Sequence, residues 1–242
     1  MLTQRTAWHD FSKASLHQVR RLKELEQVLY DRKYCRPPYL EMPVYEIYRD
    51  CCDDEAKRLL LKHGLRYDLT VMPPLLVGEE YVKTMGHYHL SNGDAGSHPE
   101  IFEVLEGEAK FILQEEHSGK VVKVMLLTAK EGEKIMVPGD QGHVMINVSS
   151  RRLVTGNLLS RNCIQTYDQY MKRQGAAFYV LSGGRLVRNE HYPQVPDVRL
   201  LDEEKPSFLS SASSLIETFL KYPSRLSFLN DLSTRLSEHA GP

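Results

Sequence analysis

Between residues 67 and 147 the chain is a succession of short apolar runs separated by hairpin-length gaps, and no other stretch restricts the fold so tightly. YDLTVMP, EYVKTMGHYHL, EIFEVLEG, AKFILQE, VVKVMLLT, EKIMVPG and HVMINVS are rich in β-branched and aromatic residues, and EGE, HSGK, KEGE and PGDQG mark turns among them. Strands so short and so closely linked predict an antiparallel sandwich or barrel. Residues 151 to 190 add further strands, including LVTGNLL and AFYVL, the latter followed by the turn SGGR.

The flanks read differently. Residues 14 to 32 set Leu16, Val19, Leu22, Leu25 and Val28 at spacings of three, which predicts an amphipathic helix packed outside the sheet. PVYEIYR, at 43 to 49, alternates as an edge or inter-subunit strand would. The segment 50 to 66 is charged and mixed, and no element is assigned to it. After Pro206 the chain becomes rich in Ser and Leu, with Leu215, Phe219 and Leu220 before Pro223 and Leu226, Leu229, Leu232 and Leu236 after it. A proline there divides the pattern into two short helices. They are expected to cover the outside of the barrel or a partner subunit, and to be dispensable for chemistry.

Within the strand-rich stretch, His87-Tyr88-His89 puts two imidazoles on one face of a strand, because side chains alternate with a period of two. A lone His-x-His pair is more often structural than ligating. Here Glu100 follows it and His143 closes a Pro-Gly-x-x-x-His run, so strands from separate parts of the chain can gather His87, His89, Glu100 and His143 around one divalent cation. Charge excludes some classes: 31 basic and 32 acidic side chains leave a net charge of −1, without the electrostatic footprint of a nucleic-acid or membrane binder. An anionic ligand must then be held by a local arrangement. No apolar run approaches the roughly 20 residues needed to span a bilayer. The four cysteines lack Cys-x-x-Cys spacing and MLTQRTAWHD has no apolar signal core, so reduced thiols in a cytoplasm are expected.

GHYHLSNGDAGSHPEIFEVLEG, at 86 to 107, and GEKIMVPGDQGHVMIN, at 132 to 147, resemble the two cupin motifs. Glu100 and Gly107 complete the first, and Gly132, Pro138, His143 and Asn147 fit the second, with one glycine displaced to Gly139. Ten residues separate His89 from Glu100, a longer insertion than the common motif carries, and hairpin loops absorb insertions at little cost. LTVMPPLLVGEEYVKTMGHYH, at 69 to 89, further resembles the Thr-x-x-x-Pro…Thr-x-Gly-His-x-His signature of the cupin-type phosphoglucose isomerases. RRLKELE at 20 to 26 and PVYEIY at 43 to 48 are similar to that family's N-terminal segment.

The resemblance, which spans about residues 15 to 195, implies an all-β cupin jelly-roll barrel with helical additions at both ends, assembled as a homodimer. Residues 1–66 would form an N-terminal helix and edge strand, 67–196 the barrel with its metal site, and 197–242 a helical extension. It implies one divalent transition metal per chain, held by His87, His89, Glu100 and His143, and interconversion of glucose 6-phosphate and fructose 6-phosphate. Thr70, Thr84 and Gly86 would hold the phosphate, with Tyr167 a further contact. An aromatic residue expected just before the last ligand is replaced by Asp140 and Gln141.

The chemistry is arguable from residue types. Moving hydrogen between adjacent sugar carbons needs charge stabilisation at the carbonyl oxygen, which a metal with open positions supplies. Glu100 could hold the metal throughout or carry a proton between the carbons. Iron is expected, and manganese, nickel or zinc would also suit these ligands. A cupin Fe(II) dioxygenase and a non-catalytic sugar-phosphate sensor stand as alternatives, the first disfavoured by the phosphate cradle. His98, in the inserted loop, is expected to be solvated.

Overall fold

The computed structural model describes residues 11–90, 96–200 and 213–233. Its strands, in chain order, are β1 (Leu16–Arg21), β2 (Pro43–Arg49), β3 (Leu65–Met72), β4 (Leu76–Val77), β5 (Glu80–Tyr81), β6 (Tyr88–His89), β7 (Glu100–Glu106) and β8 (Glu108–His117). They continue with β9 (Lys120–Lys130), β10 (Lys134–Val137), β11 (Gln141–Asn147), β12 (Leu153–Ser160), β13 (Gln165–Thr166), β14 (Phe178–Leu181), β15 (Arg185–Arg188) and β16 (Arg199–Leu200). The helices are α1 (Leu22–Leu25), α2 (Asp54–Lys62), α3 (Asp168–Lys172) and α4 (Leu215–Lys221). One sheet runs β1-β2-β3-β12-β7-β10 and a second β11-β8-β9-β16, with two small sheets, β13-β6 and β15-β14-β5-β4, at their margins.

Alternation along the strands of the first sheet decides what lies on each side of it. On β7, Glu100, Phe102 and Val104 face the second sheet, where Phe102 meets Phe111 of β8 with ring centroids 5.1 Å apart. Ile101 lies on the opposite face, in a second apolar cluster with Leu65, Tyr67 and Leu69 of β3 and Leu158 of β12. That outer face is covered by Ala56 and Leu60 of α2, by Leu215, Ile216 and Phe219 of α4, and by Leu226, Phe228 and Leu229 of the 3-10 helix that follows it. The sheet is therefore buried on both sides, and β12 is buried at every residue. Packing is tight enough that a Cβ on Gly156 would lie 2.0 Å from the Tyr67 hydroxyl.

One residue from each motif serves this framework. Asn147 is fully buried, and its Nδ2 donates to the carbonyls of Met72 (3.2 Å), Pro73 (3.0 Å) and Arg151 (3.0 Å), tying β11 to the chain after β3 and before β12. Gly107 sits at φ +89° in the β7–β8 turn, and a Cβ there would come within 2.8 Å of the Arg152 carbonyl.

The flanks depart from their sequence reading. Residues 14 to 32 are not one helix: Leu16–Arg21 form β1, followed by the single turn of α1 and a 3-10 turn at Glu26–Val28. Leu22, Leu25 and Val28 are buried, so the spacing of three was real from residue 22 onward. Leu16 is half exposed, and Leu16 to Arg21 pair along β2, which supplies the backbone partners a helix would have supplied itself. PVYEIYR is an interior strand, since β2 pairs with both β1 and β3, and β1 takes the edge. The unassigned segment 50 to 66 holds α2, whose N-cap Asp53 accepts from the amides of Glu55 (3.0 Å) and Ala56 (2.8 Å).

The tail divides at Pro223 as its spacing predicted. Pro223 opens the 3-10 helix Pro223–Leu229 directly after α4, which starts with a Ser214–Glu217 capping box. Leu236 lies outside the described residues. All four cysteines are free and buried, and no helix of the described residues is long and apolar enough to cross a membrane.

Candidate metal centre

Three separate parts of the fold deliver the four expected ligands to one point. His87 and His143 face each other across an antiparallel bridge, with the His87 amide 3.2 Å from the His143 carbonyl and the reverse bond at 3.0 Å. His89 pairs with Gln165 of β13 two residues further on, so both histidines of the His-x-His pair look the same way. Tyr88 between them points away, against Gly142, and its hydroxyl accepts from Gln114 Nε2 at 2.7 Å. Glu100, the first residue of β7, enters from the next strand. Despite the long insertion before it, its Oε1 lies 2.8 Å from His143 Nε2, 3.4 Å from His89 Nε2 and 3.9 Å from His87 Nε2.

These atoms fit a cation. Ligand atoms of the four residues lie within 4.8 Å of one another, and all three Nε2 atoms and Glu100 Oε1 are buried without a hydrogen-bond partner. Buried polar atoms are ordinarily satisfied, so four orphans aimed at one place are the signature of a missing positive charge. Protonation agrees. Burial pushes the Glu100 carboxyl up, but the His143 and His89 imidazoles more than offset it and hold it well below the usual carboxylate range. Burial, reinforced by His143, holds His87 well below the ordinary imidazole range, so it keeps a lone pair to offer. Burial also opposes charge on His89, yet Cys163 and Glu100 outweigh it and push that imidazole up to about 11.

A second layer orients the ligands. His89 Nδ1 donates to the His98 carbonyl at 2.6 Å, which turns its Nε2 lone pair to the centre. Asn157 Nδ2 donates to Glu100 Oε2 at 3.1 Å, leaving Oε1 for the histidines. Nothing in the motifs marks Asn157; the available signal was an amide two residues after Thr155 in a largely apolar strand. With outer-shell partners commonly worth 10- to 100-fold in affinity, Asn157→Ala is expected to weaken divalent-metal binding by about tenfold, read by chelator competition.

The cluster opens into a cavity of about 60 Å³, whose wall includes His87, Glu100, His143 and Asn157 together with Thr70, Thr84, Gly86 and Tyr167. Thr84 Oγ1 accepts from the Met145 amide at 3.0 Å, so its proton can be donated into the cavity. Gly86 takes φ +80°, and a Cβ there would strike Val144 Cγ2 at 2.6 Å. Tyr167 is half-buried beside His87, with ring centroids 5.8 Å apart, and lines the space instead of serving only as packing. Sequence reasoning missed Tyr45, Arg49 and Asp68 in the same wall. Asp68 accepts from Arg49 (2.7 Å) and Arg66 (2.9 Å), and two guanidiniums on one carboxylate leave local positive charge beside Thr70. His98 departs from expectation most: it is 4% exposed, and its Nδ1 donates to the Leu229 carbonyl at 3.0 Å.

A jelly-roll pair of sheets whose His-x-His, Glu and His side chains converge on one point makes this a cupin with a candidate three-histidine, one-carboxylate centre. Residues 19–197, well over half of the chain, match the family model described as glucose-6-phosphate isomerase (GPI). The chain belongs to that family.

No curated protein matches the chain. Among solved structures it is similar to an oxalate oxidase in complex with the substrate analogue glycolate: 19% identity, 43% of this chain and 46% of that one covered, TM-score 0.34. It is also similar to the Lactobacillus farciminis oxalate decarboxylase formate complex (14%, 51% and 30%, TM-score 0.37). A third is Bacillus subtilis oxalate decarboxylase, described for its Mn(II) centres (17%, 48% and 26%, TM-score 0.34). The chain spans under half the length of each.

Proposed function

We propose that the chain is a metal-dependent aldose–ketose isomerase that interconverts glucose 6-phosphate and fructose 6-phosphate. The observation that carries the reading is one cavity whose wall joins a buried His87–His89–Glu100–His143 cluster to Thr70, Thr84 and Gly86. Membership of the glucose-6-phosphate isomerase family supports it. A divalent ion held by the four residues would supply Lewis acidity toward the vicinal oxygens of the open-chain sugar.

The remaining work falls to the protein. Thr70 and Thr84 hydroxyls and the Gly86 amide are neutral donors for a phosphate, and the charge left by Arg49 and Arg66 over Asp68 favours its dianion. The phosphate would thereby fix where the sugar carbons lie relative to Glu100. Glu100 is the cavity-wall carboxylate that lies among the histidines, kept ionised by the surrounding imidazoles, and can accept the proton that leaves C2 and return one to C1. The balance closes when the O2 hydroxyl proton passes to O1, converting an aldehyde and an alcohol into an alcohol and a ketone.

Turnover decides the matter: the metal-loaded protein is expected to convert glucose 6-phosphate to fructose 6-phosphate at equal rates with and without oxygen. In deuterated water the product should carry solvent deuterium at C1; full retention of the C2 hydrogen would assign a hydride shift instead. Oxygen uptake would restore the dioxygenase reading, and tight phosphosugar binding without turnover the sensor.

Assembly belongs to the same proposal. β1 is a sheet edge carrying the half-exposed Leu16, the kind of strand that a second copy can extend, so a homodimer is expected. Light scattering at micromolar concentration that gave a monomer mass would refute it.

A further inference from the structure

The insertion between His89 and Glu100 and the C-terminal extension meet at one residue, and that residue reaches the metal cluster. His98 gives its backbone carbonyl to His89 Nδ1 at 2.6 Å and its own Nδ1–H to the Leu229 carbonyl at 3.0 Å. It is 4% exposed, and its Nε2 is buried without a partner, so no solvent competes for the ring. From the other side the segment is pressed against Gly139, where a Cβ would come 1.9 Å from the Ser97 carbonyl and 2.9 Å from the His98 carbonyl carbon. Backbone contact on one side and a hydrogen bond from the extension on the other fix where the His98 carbonyl points.

The extension is itself anchored. The Leu215 amide donates to Glu103 Oε2 at 2.7 Å, at the start of α4. Asn230, one residue beyond Leu229, accepts on Oδ1 from Ser160 Oγ at 2.6 Å and from Asn162 Nδ2 at 3.3 Å. Between these ties Leu226, Phe228 and Leu229 are buried in the outer cluster. The Leu229 carbonyl is thus held at both ends of its segment. This whole element, residues 213–233, lies outside the 19–197 span that matches the family model.

We propose that the C-terminal extension is a positioning element for the metal centre, acting through His98 on the orientation of His89. It fastens Ser97 and His98, at the end of the insertion, so that they present a fixed acceptor to the ligand. His98 is a positioning residue, since it acts through His89. The inference rests on the reading of the four-residue cluster as a metal site, and the two fail separately. If the parent protein binds no divalent ion, the metal reading fails.

The test compares the parent with His98→Leu, which keeps bulk and removes the donor, and His98→Asn, whose amide can still donate. Dissociation constants for Co(II) are measured by chelator competition, and the d–d absorption of the Co(II) protein reports ligand geometry independently of turnover. Loss of an outer-shell partner commonly costs 10- to 100-fold, so His98→Leu is expected to weaken Co(II) binding by about tenfold and shift the absorption. His98→Asn should recover most of both. Leu226→Ala, which loosens the extension from the sheet, should weaken binding in the same direction, and the double variant His98→Leu with Leu226→Ala should lose less than the product of the two effects. Unchanged affinity and spectrum in His98→Leu, or fully multiplicative losses, would overturn the proposal. If His98→Leu fails to fold, the Leu226→Ala protein alone decides: parental Co(II) affinity and absorption in it would overturn the proposal equally.

Discussion

His143→Ala is expected to abolish bound metal and to lower isomerase turnover by at least about three orders of magnitude while the barrel stays folded. His143 sits on β11, a fully buried strand held along its length by β8, so removing one imidazole does not release the backbone that carried it. What it removes is the ring nearest Glu100 Oε1, at 2.8 Å, and one of the four atoms aimed at the common point. Lewis-acid stabilisation is worth several kcal/mol of transition-state energy, and each ~1.4 kcal/mol is tenfold in rate. Metal content by elemental analysis, turnover, and circular dichroism with a melting curve are the measurements. A metal-free His143→Ala protein with parental activity would dismiss the metal from the reaction. A protein that had also lost its sheet signal would leave Glu100→Gln as the cleaner comparison, because it keeps the size of the side chain and removes only its charge.

Thr84→Val is the second large effect, and it concerns the other end of the substrate. A hydroxyl donating to a phosphate makes a charge-assisted hydrogen bond worth roughly 1.5 to 3 kcal/mol. Its loss should weaken glucose 6-phosphate binding by about one to two orders of magnitude. The phosphate does not react, so most of the change should appear in KM, with kcat falling only as far as misplacement reaches the sugar carbons. Thr84 also accepts from the Met145 amide, and valine leaves that amide without its side-chain acceptor. A melting curve separates this structural cost from the loss of binding. Free glucose should be a far poorer substrate for the parent and nearly indifferent to the substitution. Equal kcat/KM for glucose and glucose 6-phosphate, or a Thr84→Val protein unchanged on both, would remove the phosphate from the reading.

The sequence by itself determined the β-rich core and the four ligand candidates. Period-two alternation fixed the facing of His87 and His89, and the β-branched runs and turn residues between 67 and 147 prescribed strands and hairpins, because both signals are local and depend only on backbone geometry. The break at Pro223 was equally local, since a missing amide hydrogen and a fixed φ act wherever the residue falls.

Tertiary structure decided the rest. Leu16 to Arg21 became a strand because β2 offered its backbone a partner, and apolar spacing over so short a stretch cannot weigh that offer against an internal helix. Only the pairing of β12 with β7 brings Asn157 to Glu100 across 57 residues of sequence, and only the packing of the extension brings Leu229 to His98 across 131. His98 looks solvated in sequence because a histidine in a Gly- and Ser-rich loop has no local reason to be buried; its burial comes from Gly139 on one side and the extension on the other. Local chemistry sets which residues can ligate, whereas the groups that orient those ligands are chosen by contacts between distant segments, which no periodicity records.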